Sequence, residues 1–217
     1  MKPLPNLTVL ASGSKTGGGS GFQKLVEATQ TGILQARITV VSNYDSGGVR
    51  EKAERLGIRF IHFPGPWEPE GYRDIVAKTE ADFVALSGWV KLVKGLDPRT
   101  TCNIHPGPLP DFGGHGLYGH FVHEALIAAY KKATVTHSAV CMHFVTEEYD
   151  RGPVFFRKPV EILPDDTADT LGTRVNKVEH EYQATITDMV VNRLITWDGV
   201  NPQSLVVPDG YPHLASQ

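Results

Sequence analysis

The chain alternates short runs of β-branched and other apolar residues with segments in which apolar residues recur every three or four positions. Such alternation, punctuated by glycine and proline, is typical of βαβ units that build a parallel sheet. Strands are predicted at 7–11, 38–42, 59–63, 83–86 and 102–105, and helices at 22–30, 49–56, 70–79 and 120–131. The first half is therefore predicted to be a doubly wound α/β structure.

The second half changes its pattern. Two long apolar stretches at 135–145 and 154–160 flank a polar turn, and a long amphipathic segment follows at 166–194. Strands joined by so short a connection pair in antiparallel fashion. We expect one domain over residues 1–217, with a mostly parallel sheet, an antiparallel strand region near the C-terminus and a long C-terminal helix.

Charge and composition narrow the function classes. The 217 residues carry a formal net charge of −3, so no basic field favours nucleic acid. No apolar run approaches the roughly 20 residues that span a bilayer, and the first residues lack the features of a signal peptide. Cys102 and Cys141, each in an apolar stretch, are interpreted as reduced, buried thiols. We expect a cytoplasmic protein with small-molecule partners and neither nucleic acid nor membrane among them.

Five glycines crowd residues 13–21, between the first predicted strand and helix. Free N–H groups and the dipole at a helix N-terminus favour an anion, so this loop is a candidate phosphate site. It lacks both the Gly-Lys-Ser/Thr ending of a Walker A loop and the dinucleotide spacing of glycines. A flexible surface loop is the alternative.

A second candidate lies at the carboxyl end of the fifth predicted strand. By the two-residue period, Asn103 and His105 point to the same side. An amide donor and an imidazole, with a carboxylate such as Asp150 from a later turn, can stabilise an oxyanion and move a proton. A purely structural histidine is an equal alternative, and the spacing does not show whether Asp150 approaches the pair.

The remaining histidines give weaker signals. His115, His120 and His123 lack a cysteine or a well-placed carboxylate to complete a tetrahedral metal set, so no metal is predicted. His143, in a predicted strand, is interpreted as a core residue or one behind the site. The pair Glu179 and His180 on the long helix reads by itself as a solvated pair.

Taken together, several segments resemble the folate-dependent formyltransferases, with a Rossmann-like fold. The matching segments occur in order along nearly the whole chain: VLASG at 9–13, VSN at 41–43, DFVALSGW at 82–89, NIHPGPLP at 103–110, HFVTEEYDRGPV at 143–154 and RVNKVEH at 174–180.

The resemblance implies an activity. It is formyl transfer from 10-formyltetrahydrofolate, the donor cosubstrate, to the amine of glycinamide ribonucleotide in purine synthesis, without a metal. A protonated His105 and Asn103 would hold the oxyanion, with Asp150 orienting the ring and relaying a proton. Residues 1–100 would chiefly hold the phosphate, and residues 101–200 would carry catalysis and folate binding, in a monomer or a homodimer.

The resemblance also assigns binding residues. The phosphate and ribonucleotide would be held by Gly19, Ser20, Gly21, Pro106 and Glu179. The folate would be held by Gly88, Trp89, Val90, Lys91, Leu92, Val93, Val145, Thr146 and Glu147. By itself Trp89 reads equally well as a core aromatic.

Two departures from the family pattern affect the acceptor. The glycine loop carries an insert around Lys15, and cations common near the phosphate are replaced by Pro69 and Asn176. Lys15 is our candidate for the replacement charge. Other readings stay open: formyl transfer to another amine such as an amino sugar nucleotide, hydrolysis of formyltetrahydrofolate, or a nucleotide-binding module without catalysis. The larger formyltransferases carry added domains for which 217 residues leave no room.

Overall fold

A computed structural model describes residues 3–14 and 17–214. Seven strands form one sheet in the order β3-β2-β1-β4-β5-β6-β7. The strands are β1 (Asn6–Leu10), β2 (Arg37–Ser42), β3 (Arg59–His62), β4 (Phe83–Leu86), β5 (Thr101–His105), β6 (His137–Phe144) and β7 (Val154–Glu161). The first five pair in parallel, and β6 and β7 pair antiparallel, which confirms the predicted mixed sheet.

Five α-helices cover the sheet: α1 (Ser20–Gln30), α2 (Gly48–Leu56), α3 (Pro69–Thr79), α4 (His120–Lys131) and α5 (Ala168–Val191). Neighbouring residues of β1 show how the two faces are buried. Val9 packs in the larger core beneath α1, α2, α4 and α5, whereas Leu10 packs in the smaller core beneath α3. Both residues are fully buried because side chains alternate along a strand and helices lie on both faces.

Several predicted boundaries differ from the structure by a few residues. Helix α1 begins at Ser20, not at residue 22, and β6 covers His137–Phe144, not 135–145. The long helix covers Ala168–Val191, not 166–194, because Thr167 caps its N-terminus in a capping box with Thr170. None of the described helices is long and apolar enough to cross a membrane.

The order β1-β4 in the sheet marks a topological switch. Strand β1 pairs with β2 on one side and with β4 on the other, so the chain runs outward from β1 in both directions. In such sheets the loops that leave the carboxyl ends of adjacent strands diverge and leave a crevice between them. Here those loops are the glycine loop after β1 and the segment after β4.

Candidate active site

A cleft of about 720 Å³ opens at this edge of the sheet. The glycine loop, the residues after β4 and β5, the loop after β6 and one face of α5 all contribute to its lining. The two sites predicted separately from the sequence therefore share one cavity.

A polar cluster lies in the middle of the cleft. Asn103 of β5 lies directly opposite His143 of β6 in the antiparallel pairing. Its Nδ2 donates to Nε2 of His143 at 3.1 Å and to Oδ1 of Asp150 at 3.3 Å. The Nδ1 of His143 lies 2.7 Å from the carbonyl oxygen of Phe144 and must carry the proton, since a carbonyl oxygen only accepts. His143 thus orients the Asn103 amide from behind, in agreement with one of the two interpretations drawn from the sequence.

His105 is held from the opposite side. Its Nε2 donates to the carbonyl oxygen of Phe112 at 2.7 Å, which leaves Nδ1 as the free nitrogen of the ring. Nδ1 faces Oδ2 of Asp150 at 3.7 Å, an ion-pair distance once the ring is protonated. The side chain is only 4% exposed, so its position is set by the fold.

Asp150 joins these groups. Its Oδ2 accepts from the backbone N–H of Gly114 at 2.9 Å, and Oδ1 lies 3.3 Å from Nε2 of His143. The residue has a φ of 55°, a left-handed conformation that costs energy in a residue with a Cβ. Aspartate tolerates it better than most, and such strained residues cluster at functional sites.

Burial and charge set the protonation of the cluster. Burial lowers the pKa of His105 and outweighs the nearby Asp150 carboxylate and the Phe112 carbonyl, which raise it. Burial raises the pKa of Asp150, but the adjacent His143 ring, the charge of His105 and the Gly114 N–H bring the net pKa below the usual value. At neutral pH the free protein therefore holds an ionised Asp150 beside a predominantly neutral His105.

The glycine loop lies at one end of the cleft, where α1 begins. Gly19 precedes the helix with a φ of 74°, and the first turn has neither a side-chain cap nor an acidic residue. Its first N–H groups have no partner within the helix and are free to bind an anion. A Cβ on Gly21 would collide with Ser87 Oγ and Gln183 Oε1, so only glycine fits there.

Glu179 of α5 also lines the cleft. Its Oε2 accepts from Nδ2 of Asn176 at 3.1 Å. Burial raises the pKa of Glu179 to about 7, and the Asn176 hydrogen bond opposes the rise. The carboxyl group is thus poised between its two protonation states near neutral pH and is not the solvated group that the sequence alone suggested.

The segment after β4 forms another wall of the cleft. The Gly88 carbonyl accepts from Ser12 N at 3.1 Å, and Val90 N donates to Ser12 Oγ at 3.2 Å, which ties the wall to the start of the glycine loop. Tyr72 Oη donates to the Leu92 carbonyl at 3.0 Å and accepts from Nε1 of Trp89 at 3.1 Å. These bonds fix the backbone and leave its other polar groups available to a planar ligand.

Comparison with known proteins decides the family. The model of the formyl transferase family matches residues 7–187. The chain belongs to the formyl transferase family. A relative from Vigna unguiculata, named phosphoribosylglycinamide formyltransferase, chloroplastic, is 37% identical over 198 residues, 85% of this chain and 62% of that protein. The phosphoribosylglycinamide formyltransferase of Bacillus subtilis is 28% identical over 84% of this chain and 93% of its own length.

A solved structure shows the same fold. Glycinamide ribonucleotide transformylase 1 from Symbiobacterium toebii superposes with a TM-score of 0.80 at 24% identity, covering 96% of both chains. This formyl transferase spans about 62% of the length of the Vigna relative.

Most residues assigned from the sequence line the cleft of this formyl transferase. The lining includes Asn103, His105, Asp150, Gly19, Ser20, Gly21, Pro106, Glu179, Gly88, Trp89, Val90, Lys91, Leu92, Val93, Val145 and Thr146. Glu147 lies apart: it borders a neighbouring smaller cavity, and its Oε1 accepts from Gly95 N at 3.3 Å. Trp89 is only 7% exposed, so it also packs in the smaller core. Lys15 lies outside the described residues.

Sequence reasoning missed other lining residues, among them Tyr149 and Gln183. Tyr149 stands beside Asp150 in the segment that carried the family resemblance, and its ring packs edge-on to His115 at 5.8 Å. His120 pairs with Glu124 and Asp169 at 3.3 Å each. Within the described part of the chain, no three His, Cys, Asp or Glu side chains are grouped so as to hold a metal ion. Both cysteines are free and buried, as predicted.

Proposed function

We propose that this formyl transferase moves the formyl group of 10-formyltetrahydrofolate to the amine of glycinamide ribonucleotide, a step of purine biosynthesis. One observation carries the proposal: a single cleft is lined by the Asn103, His105 and Asp150 cluster, by an anion-binding helix terminus and by the backbone wall after β4. The names of the curated relatives support the same acceptor.

The arrangement accounts for both ends of the acceptor. Its phosphate would bind the free N–H groups at Gly19, Ser20 and Gly21, and its amine would bind the Glu179 carboxylate, which lines the same cleft. The pterin of the donor would lie against the backbone from Gly88 to Val93. This placement brings amine and formyl carbon together at the central cluster.

The amine attacks the formyl carbon, a C–N bond forms, and the carbonyl oxygen becomes an oxyanion. Asn103 would exchange its contact with Asp150 for one with this oxygen while its other N–H stays bound to His143. Because His105 is predominantly neutral in the free protein, its Nδ1 can accept the proton that the amine loses. The ionised Asp150, 3.7 Å away, would stabilise the imidazolium until the proton passes to N10 as the C–N10 bond breaks.

The starting protonation differs from the one that the family resemblance implied. That expectation placed a protonated His105 at the oxyanion from the outset. Burial favours the neutral ring before substrate binds, so the proton would come from the acceptor amine. A developing oxyanion would then raise the affinity of His105 for that proton.

Two coarser assignments accompany this proposal. We propose that residues 1–100 chiefly hold the phosphate and that residues 101–200 carry the catalytic cluster and further folate contacts. We also propose a cytoplasmic location, supported by two free, buried thiols, although the Vigna relative is named chloroplastic.

The test is an assay of formyl transfer from 10-formyltetrahydrofolate to a panel of amines, with His105→Asn and the exposed His137→Asn as a matched control. We expect glycinamide ribonucleotide to be the preferred acceptor, and His105→Asn to lose roughly 10²–10³-fold in kcat while His137→Asn does not. Preference for another amine would refute the acceptor. Formate release without any acceptor would indicate hydrolysis, and full activity of His105→Asn would refute the mechanism.

A further inference from the structure

The described residues that line the cleft include one strong cation, which lies away from the glycine loop. Among the described residues that line the cleft, Lys91 is the one lysine or arginine. Its ammonium lies 4.1 Å from the centre of the Trp67 ring, on the wall after β4. A helix N-terminus supplies roughly half a positive charge, whereas a phosphate monoester carries up to two negative charges. The proposed phosphate is therefore under-compensated by the lining alone.

Lys52 on α2 lies immediately behind this lining. Its Cδ is 3.6 Å from the position that a Cβ on Gly19 would occupy, so the side chain runs along the residue that precedes α1. The side chain is half-buried, and Nζ contacts the Gly48 carbonyl at 3.5 Å. Within the described residues, no carboxylate lies within 4.0 Å of this ammonium.

The surroundings of Lys52 make its position unfavourable without an anion. Helix α2 begins at Gly48, where a Cβ would collide with the backbone of Gly17, and a Cβ on Gly13 or Gly19 would meet Val49. The N-termini of α1 and α2 thus meet at the glycine loop. Lys52 extends toward the N-terminal end of its own helix, where the dipole repels a cation. Two helix termini and a lysine converge here, and a bound dianion would satisfy all three.

We propose that Lys52 is the cation that pairs with the phosphate of the acceptor, reaching it past Gly19. This inference rests on the proposed function for the identity of the acceptor. Glycine at position 19 allows the approach because a side chain there would meet Val49 and the stem of Lys52. Lys52 takes the place of the cations that the sequence lacks at Pro69 and Asn176.

The test measures binding of ribose 5-phosphate by calorimetry, which requires no formyl transfer. Lys52→Met keeps the length of the side chain and removes its charge, and Lys52→Arg keeps the charge. A lost charge-assisted hydrogen bond weakens binding by about tenfold or more. We expect that loss for Lys52→Met and a loss within about threefold for Lys52→Arg.

Two further variants separate a local contact from net charge. Lys24→Met removes a lysine of α1 that already pairs with Glu27 at 2.7 Å, and we expect its affinity to match the wild type. Equal losses in Lys52→Met and Lys24→Met would overturn the inference. So would a loss confined to Lys15→Met, which would assign the role to the loop lysine, or unchanged affinity of Lys52→Met with an intact thermal transition.

The same variants distinguish this inference from the proposed function. The KM for glycinamide ribonucleotide should rise in Lys52→Met by the factor seen for ribose 5-phosphate, whereas the KM for the unphosphorylated riboside should change little. Binding of ribose 5-phosphate that depends on Lys52, without any formyl transfer to glycinamide ribonucleotide, would uphold the cation and refute the acceptor. Formyl transfer to glycinamide ribonucleotide, with a binding constant for ribose 5-phosphate that does not depend on Lys52, would uphold the acceptor and refute the role of Lys52.

Discussion

Replacing Glu179 by glutamine tests how strongly the cleft desolvates this carboxyl group. Its pKa rises from an ordinary 4.5 to about 7 because of burial. Between these values the folded protein holds a proton that the unfolded chain has released, so stability falls as the pH rises through this window. A pKa difference of about 2.5 corresponds to about 3 kcal/mol, and partial exposure of the side chain reduces this to about 2 kcal/mol.

Urea unfolding at pH 5 and pH 8 measures the effect. Glutamine does not titrate, so the variant does not lose stability through this group as the pH rises. The free energy of unfolding of Glu179→Gln minus that of the wild type should therefore be about 2 kcal/mol larger at pH 8 than at pH 5. Other titrating groups contribute equally to both proteins and cancel. Glu181→Gln, an exposed neighbour on α5, serves as the control and should show no such gain. A constant difference between Glu179→Gln and the wild type at both pH values would refute the desolvation of Glu179.

Two further changes test the centre and the wall of the cleft. Asp150→Asn should lower kcat by about 10²–10³-fold. It should also lower the pKa of His105 further, because the Asp150 carboxylate raises that pKa in the wild type and the variant lacks it. A proton NMR titration of the His105 ring reads the shift, and an unmoved pKa would contradict the coupling. Tyr72→Phe removes the bond to the Leu92 carbonyl and leaves the Trp89 N–H unpaired. We expect a loss of about 1–3 kcal/mol in urea unfolding and a higher KM for the formylfolate, and an unchanged KM would show that the wall does not depend on Tyr72.

The periodic pattern predicted the elements well because burial dictates it. Strand β4 was predicted with its observed bounds since all four residues are buried. Ends were harder. Helix α1 starts two residues before its first apolar position, Phe22, because a left-handed glycine at position 19 sets the start and leaves no apolar signal. The sequence predicted that α5 begins at Asp166. In the structure Asp166 lies before the helix, and its side chain binds Arg174.

The arrangement of polar side chains around β5 could be predicted only in part. The two-residue period placed Asn103 and His105 toward one side, and both line the cleft. Their contacts with Asp150 and His143 depend on the β5–β6 register, which is a matter of sheet order and not of local pattern. The family resemblance supplied Asp150, whereas the contact of His143 with Asn103 became recognisable only from their positions opposite each other.

The catalytic cluster and Glu179 hold protons with different strength, and this asymmetry suits the proposed reaction. At neutral pH Asp150 is ionised and His105 is predominantly neutral, so the catalytic cluster can accept a proton but does not carry one to donate. Glu179, with a pKa of about 7, is close to half-protonated and can exchange a proton with an arriving ammonium. An acceptor amine that has given one proton to Glu179 would be a competent nucleophile. The second proton, which the amine loses on attack, would pass to the unprotonated nitrogen of His105. In the proposed reaction, the direction of proton transfer would thus follow from burial at Glu179 and at His105.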